Sequence, residues 1–234
     1  MNITLLMPTR GRPHYLDRVY ESALDMADNP SEIEFSFYVD NDDAASQNKI
    51  NTFVNSHITI GERIVLSQMW NEAYKKATAD IFMHSGDDII FRTKHWDTQV
   101  IEAFNQYPDK IVFVGGNDMS GVHDGKFFTH GFLHRNWVSV IGYFVPPFYV
   151  SDYNDTHLNE VARLINRWHY ISEFNIEHMH PNFGKGPTDQ THLDRIKRHY
   201  ESSVAELYDK LFYTRKEDAE KLSQFIINYG VNND

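Results

Sequence analysis

Up to residue 117 the chain alternates between short apolar runs and segments with apolar residues at helical spacing, and that rhythm leaves few folds open. "NITLLM" (2–7) is an apolar run cut off by Pro8 and reads as a buried strand. "HYLDRVYESALDMA" (14–27) follows, with Leu16, Val19, Tyr20, Ala23 and Leu24 on one helical face. "IEFSFYVD" (33–40) alternates, is aromatic, and predicts a second strand ending at Asp40. A helix over 67–78 groups Met69, Trp70, Ala73, Tyr74 and Ala77, and strands are predicted at 80–85 and 110–116 on either side of a helix at 94–107. Strands separated by helices must run parallel, because the helix carries the crossover, so the expectation is an α/β protein with a mostly parallel sheet covered on both faces.

The second half is less regular. Strand is predicted for 126–134, a short helix for 136–144, a turn at "VPPF", and a helix over 155–167 with Leu158, Val161, Ala162 and Ile165 on one side. "HYISEFNIEHMHP" (169–181) reads as one or two strands ending in histidines. The tail from Thr188 is helical, and Thr214 with Glu217 fits a capping box. This half is expected to complete the same sheet and to supply a second-substrate surface.

Zero cysteines exclude a disulfide scaffold and a thiolate zinc site and suit a reducing compartment. The start, "MNITLLMPTRGRP", is too short in apolar residues for a signal peptide, and no stretch approaches the roughly 20 apolar residues of a membrane span. A soluble, cytoplasmic protein is expected. The formal charge of −11 argues against a broad basic surface for nucleic acid. The cations of "HLDRIKRHY" and "YTRKEDAEK" are read as solvated helix faces in preference to a phosphate-binding surface, although "RIKRH" keeps a local basic track for DNA open.

Ligands of open α/β sheets bind beyond the carboxyl ends of the strands. Three such ends are polar here: "PTRGRP", "DNDD" and "SGDD". Thr9, Arg10, Gly11 and Arg12 suit a phosphate or a base, or the arginines pair with "DNDD". Asp40 is placed to accept from a ribose hydroxyl or a base imine, with Asp42 or Asp43 capping the next helix. Asp87 and Asp88 repel one another unless a cation or water separates them. Magnesium or manganese, bound by carboxylates and a substrate's phosphates, is the natural cation. His178 and His180, two apart in extended chain, share a face, and either completes a metal shell.

In order as much as in motif, the sequence resembles the GT-A glycosyltransferases of the family-2-like group. "ITLLMPTRGRP" is similar to their first strand and nucleotide loop, which implies donor contacts at Pro8, Thr9, Arg10 and Arg12. "FSFYVDNDD" resembles the strand that ends in a base- and ribose-contacting Asp, here Asp40. "LSQMWNEAYKKATADIFMHSGDDIIF" resembles the helix with a buried Asn (Asn71) and the strand leading to the acidic metal motif. The resemblance implies metal ligation by Asp88 with His178 or His180, and donor contact by Asp87 and Asn71. "GYFVPPFYVSDYNDTHLNEVA" resembles the acceptor segment, which implies Asp155, with Asp152 in reserve, as general base. One departure stands out: the family's Asp-x-Asp is Ser85-Gly86-Asp87-Asp88 here, so Gly86 stands where the first acid would be.

The implied organisation is a GT-A (Rossmann-like) domain over 1–195, with a nucleotide-sugar-binding half (1–117) and an acceptor half (118–195), then a C-terminal helical extension (196–234). The implied reaction is metal-dependent and inverting, from a nucleotide sugar (UDP by default) to an acceptor hydroxyl, with Mn2+ or Mg2+ as cofactor. Compact stand-alone chains of this look resemble transferases encoded by bacteriophages, some of which modify hydroxymethylated DNA bases. The acceptor classes are therefore a DNA base, a protein or a glycan. Two rivals remain: a sugar nucleotidyltransferase, although "PTRGRP" lacks the glycine density of that group, and a non-catalytic carbohydrate- or nucleotide-binding protein using Trp96, Trp137 and Trp168 as stacking surfaces.

Overall fold

The computed structural model describes residues 1–150 and 152–233. The elements run in the order β1 (Ile3–Thr9), α1 (Pro13–Asp25), β2 (Ile33–Asp40), α2 (Ala44–Ile50), β3 (Ser56–Gly61), α3 (Leu66–Tyr74), β4 (Ile81–His84), β5 (Ile89–Phe91) and α4 (Trp96–Asn105). They continue with β6 (Phe113–Asn117), β7 (Gly131–His134), α5 (Arg135–Ile141), α6 (Asn154–Leu164), β8 (Trp168–His178), α7 (Gln190–Glu201), α8 (Val204–Lys210) and α9 (Phe212–Asn233). The strands form an eight-stranded sheet of order β3-β2-β1-β4-β7-β6-β8-β5.

The β3-β2-β1-β4 half is parallel. Beyond it, β7 is antiparallel to both β4 and β6, β6 and β8 are parallel, and β5 pairs antiparallel with the end of β8. The chain leaves β1 on one side through β2 and β3, then returns to lay β4 on the other. The crevice where the order reverses lies between the loops after β1 and β4. Strand β1 runs through Pro8 to Thr9 rather than stopping short. Its β4 ladder ends at Leu6, so the missing amide at Pro8 falls where only β2 is paired.

Alternate residues of the central strands face two cores. Ile3, Leu5 and Met7 of β1 and Phe35, Phe37 and Val39 of β2 pack with Leu16 and Val19 of α1 and Trp96 and Phe104 of α4. Leu6 and Tyr38 face the other side, with Met69 and Trp70 of α3, Trp137 of α5, Leu158 of α6 and Leu222 of α9. The helices of the 196–234 segment thus share the core of the residues before them. His157 of α6 contacts buried Asp218 of α9 at 3.2 Å, and Tyr143 donates to the same carboxylate.

Two expectations change. Thr214 is no N-cap, because α9 begins at Phe212 and Thr214 already lies in its first turn. Trp96 and Trp137 are core residues at 0% exposure, and Trp168 stacks on Phe128 with centroids 4.1 Å apart, so none is a free sugar platform. Among the described residues, no helix is long and apolar enough to cross a membrane.

Candidate functional site

The switch point opens into a cavity of 330 Å3 whose lining includes Pro8, Thr9, Arg10, Arg12, Asp40, Asp87, Asp88, Asp152, Asp155, His178 and His180. Every expected site residue except Asn71 therefore converges on one space. Asn71 instead braces the chain behind it. Its amide donates to Ser67 O and Val145 O, both at 2.8 Å, and accepts from Phe144 N at 2.9 Å. The expected cofactor contact gives way to a backbone clamp.

At the β1 and β2 end of the cavity, Arg10 reaches Asp40 Oδ2 at 2.6 Å and Asp42 at 2.5 Å, and Asp43 caps α2 by accepting from Ser46 N. Asp40 is 1% exposed, and its Oδ1 has no hydrogen-bond partner. A buried carboxylate oxygen without a donor is costly, so a ligand N–H or O–H is well matched to it. Burial raises the Asp40 pKa, with Arg10 opposing.

The two adjacent acids have different surroundings. Asp87 accepts from Thr9 Oγ1 at 2.8 Å and from Arg12 Nη1 at 3.0 Å, and Arg12 also binds Asp189 at 2.7 Å. Asp88 instead faces His178, with Oδ1 3.5 Å from Nε2. Burial pushes both carboxylates up, but at Asp88 His178, together with His130 and Arg12, more than offsets it and holds the group below the usual carboxylate range. Asp87 stays raised despite Arg12, because the adjacent Asp88 adds to its burial.

The return to Ile89, Ile90 and Phe91 has a structural purpose. These residues form β5, and Ile89 pairs with His178, which delivers that imidazole to Asp88. The loop is fixed by Ser85, whose N–H and hydroxyl both donate to Leu6 O, and by the Trp70 indole donating to Ser85 O at 2.9 Å.

A third ligand comes from His130. Pairing of Phe132 with Met83 carries His130 past the end of β4, and its Nδ1 lies 3.1 Å from His84 O. With Nδ1 donating to that carbonyl, Nε2 carries the lone pair, and Nε2 has no partner. Burial pushes the His130 pKa down to about 4, so the ring is neutral at physiological pH. Ligand atoms of Asp88, His130 and His178 all lie within 4.8 Å of one another. One carboxylate and two buried imidazoles with a spare nitrogen fit a divalent ion. His180 is not in this set, and its Nδ1 accepts from Asn182 N at 3.2 Å.

The α6 side of the cavity carries Asp155, in the first turn of that helix. Its Oδ1 accepts from Thr156 N at 2.8 Å, and burial pushes its pKa up to about 6. Asp152 is spoken for, held by Arg195 at 2.8 Å and by His199. Both partners belong to α7, so the stretch read as a solvated face folds over the cavity and lines it with Arg195 and Arg198. Arg63, after β3, also lines it. No motif in the sequence pointed to His130, Arg63 or Arg198.

No protein-family model matches the chain, and no curated protein sequence does. Among solved structures it is similar to the mannosyltransferase PcManGT from Pyrobaculum calidifontis in complex with GDP-Man and Mn2+, at 13% identity and a TM-score of 0.57, covering 100% of this chain and 76% of that one. It is similar also to S. aureus TarS 1-349, at 13% identity and 0.57, covering 100% and 92%. TarS 1-349 in complex with UDP-GlcNAc aligns at 13% identity and 0.56, covering 75% and 58%. The chain thus has a mixed α/β fold shared with these solved structures, as the GT-A resemblance implied.

Proposed function

We propose that this protein is a metal-dependent inverting glycosyltransferase that moves a sugar from a nucleotide sugar, UDP-linked by preference, to an acceptor hydroxyl. The observation that carries the reading is the meeting, in one cavity, of an orphan carboxylate oxygen on Asp40, the Asp88–His130–His178 set and a raised carboxylate, Asp155. Neighbours of the same fold bind UDP-GlcNAc or GDP-Man with Mn2+, which supports the donor class.

Asp40 and Arg10 hold the nucleoside, and Thr9, Arg12 and Asp87 order the loop beneath the phosphates. Asp88, His130 and His178 would hold a divalent ion, Mn2+ or Mg2+, which would neutralise charge developing on the leaving diphosphate. Asp155 takes the acceptor hydroxyl's proton. The hydroxyl oxygen then bonds to the anomeric carbon as the bond to the diphosphate breaks, and the diphosphate leaves with the electron pair. Attack opposite the leaving group inverts the anomeric centre. Asp152, neutralised by Arg195 and His199, positions α7 against the acceptor side.

The acceptor hydroxyl belongs to a DNA base, a protein or a glycan; hydroxymethylcytosine DNA is the first to screen. The test is thermal melting with UDP, with and without Mn2+. A rise with UDP that grows with Mn2+ and vanishes in Asp88→Ala supports the reading; no rise with UDP, TDP or GDP sinks it.

A further inference from the structure

Five arginines line the cavity: Arg10, Arg12, Arg63, Arg195 and Arg198. Four of them are matched by carboxylates. Arg10 holds Asp40 and Asp42, Arg12 holds Asp87 and Asp189, Arg63 holds Asp194, and Arg195 holds Asp152. Arg198 is the exception. Among the described residues its side chain has no hydrogen bond or ion pair, and its Nε is buried without a partner. Burial, and then the nearby Arg63, lower its pKa, while Asp194, Asp152 and Asp40 oppose them through space without pairing with it. A partly desolvated guanidinium with no directly paired carboxylate, near a second guanidinium, is well matched to an added anion.

We infer that Arg198, with Arg63 and Arg195 beside it, forms a phosphate subsite on the α7 wall of the cavity, separate from the Asp88–His130–His178 set. The planar fork of a guanidinium matches two phosphate oxygens at once, and an aspartate on each neighbouring arginine keeps those two side chains in place while leaving Arg198 to the ligand. Asp40 and Asp152 line the same cavity as Arg198, so the subsite shares one space with the proposed nucleoside and acceptor residues. The phosphate is therefore carried either by the donor nucleotide or by the acceptor. Only this assignment of source rests on the transferase reading.

The full chain is titrated calorimetrically with inorganic pyrophosphate in EDTA, which silences any metal-borne binding. Wild type is expected to bind, and Arg198→Gln to weaken binding by about 10-fold or more, the effect of losing a charge-assisted pair. Arg198→Lys keeps the charge without the fork, so it should fall between the two and guards against a folding defect in the glutamine variant. Failure of folded wild type to bind pyrophosphate overturns the subsite, as does equal binding by Arg198→Gln. Uridine and UDP then locate the source. Loss for UDP but not uridine assigns the donor's phosphates. Unchanged UDP affinity with weakened pyrophosphate assigns a phosphate on the acceptor. Equal loss for uridine and UDP overturns the inference in favour of a contact with the nucleoside. Pyrophosphate binding through Arg198 stands even where UDP with Mn2+ fails to bind.

Discussion

Asp88 occupies the space that a side chain at Gly86 would need, with His130 in van der Waals contact beside it. A Cβ built on Gly86 falls 2.9 Å from Asp88 Oδ1 and 3.4 Å from His130 Cε1. The glycine and the histidine are complementary: an acid at position 86 would drive the Asp88 carboxylate out of its present place, and the imidazole supplies the ligand atom instead. Gly86→Asp, which restores the Asp-x-Asp pattern, is therefore expected to weaken Mn2+ binding about 10-fold and to lower the melting temperature by about 2–4 °C per kcal/mol lost. Calorimetric Mn2+ titration checks it, and tighter binding by this variant would falsify the complementarity.

The two histidines that the sequence offered and the one it did not should separate cleanly. His130→Ala is expected to cost at least the ~10- to 100-fold in metal affinity that loss of an outer partner costs. His180→Ala, which loses an acceptor for Asn182 N and ring contacts with His178, Phe183 and His192 but no atom of the proposed metal set, should leave affinity within a factor of about two of wild type. Competition with a fluorescent chelator measures both. A larger effect at His180 would reverse the assignment.

Asp155 sets the pH dependence of transfer. A general base works deprotonated, so kcat/KM should rise with pH through about 6 and level off above it. Asp155→Asn should reduce the rate about 10²- to 10⁴-fold and abolish that rise. A profile still climbing through pH 6 in the variant would assign the limb to another group.

The same carboxylate should weaken the fold. Its pKa is 3.8 ordinarily and about 6 when folded, so the native state holds the proton more tightly than the unfolded chain. Below pH 4 both states are protonated and no penalty exists; stability is lost as pH rises from about 4 to 6, up to about 3 kcal/mol. Asp155→Asn removes that loss, so its advantage over wild type should grow from pH 4 to pH 8 in urea unfolding. A constant difference across that range would contradict it.

Asn71 offers a control far from any chemistry. Asn71→Ala leaves the Phe144 and Val145 backbone unsatisfied and should destabilise the protein by about 1–3 kcal/mol. UDP affinity should not change while the protein is folded. A selective loss of UDP binding would return Asn71 to the donor site.

The parallel half was legible because its signals are local. Leu16, Val19 and Ala23 lie one helical face apart, and "IEFSFYVD" matches β2 end to end. Strand β3 escaped notice because it is an edge strand with one neighbour, and Ile60, half of its apolar content, is 50% exposed. Residues at strand ends could be proposed because topology brings such ends together. His130 precedes a four-residue strand whose antiparallel pairing alone places it beside Asp88. Arg198 looked like a surface cation because helical periodicity shows which face a residue shares, not what that face packs against.

The contacts of α7 have a consequence for synthesis. Thr191 donates to Arg10 O across 181 positions of sequence, and Asp189 holds Arg12 across 177. A nascent chain that has emerged through β8 owns every strand and every proposed metal ligand, yet Arg12 lacks half of its partners and one wall of the cavity is missing. Closures across so long a loop are expected to come late in folding. Completion of the cavity is thereby coupled to translation of the helix that follows Asp189, and a chain released early keeps its acids exposed to water.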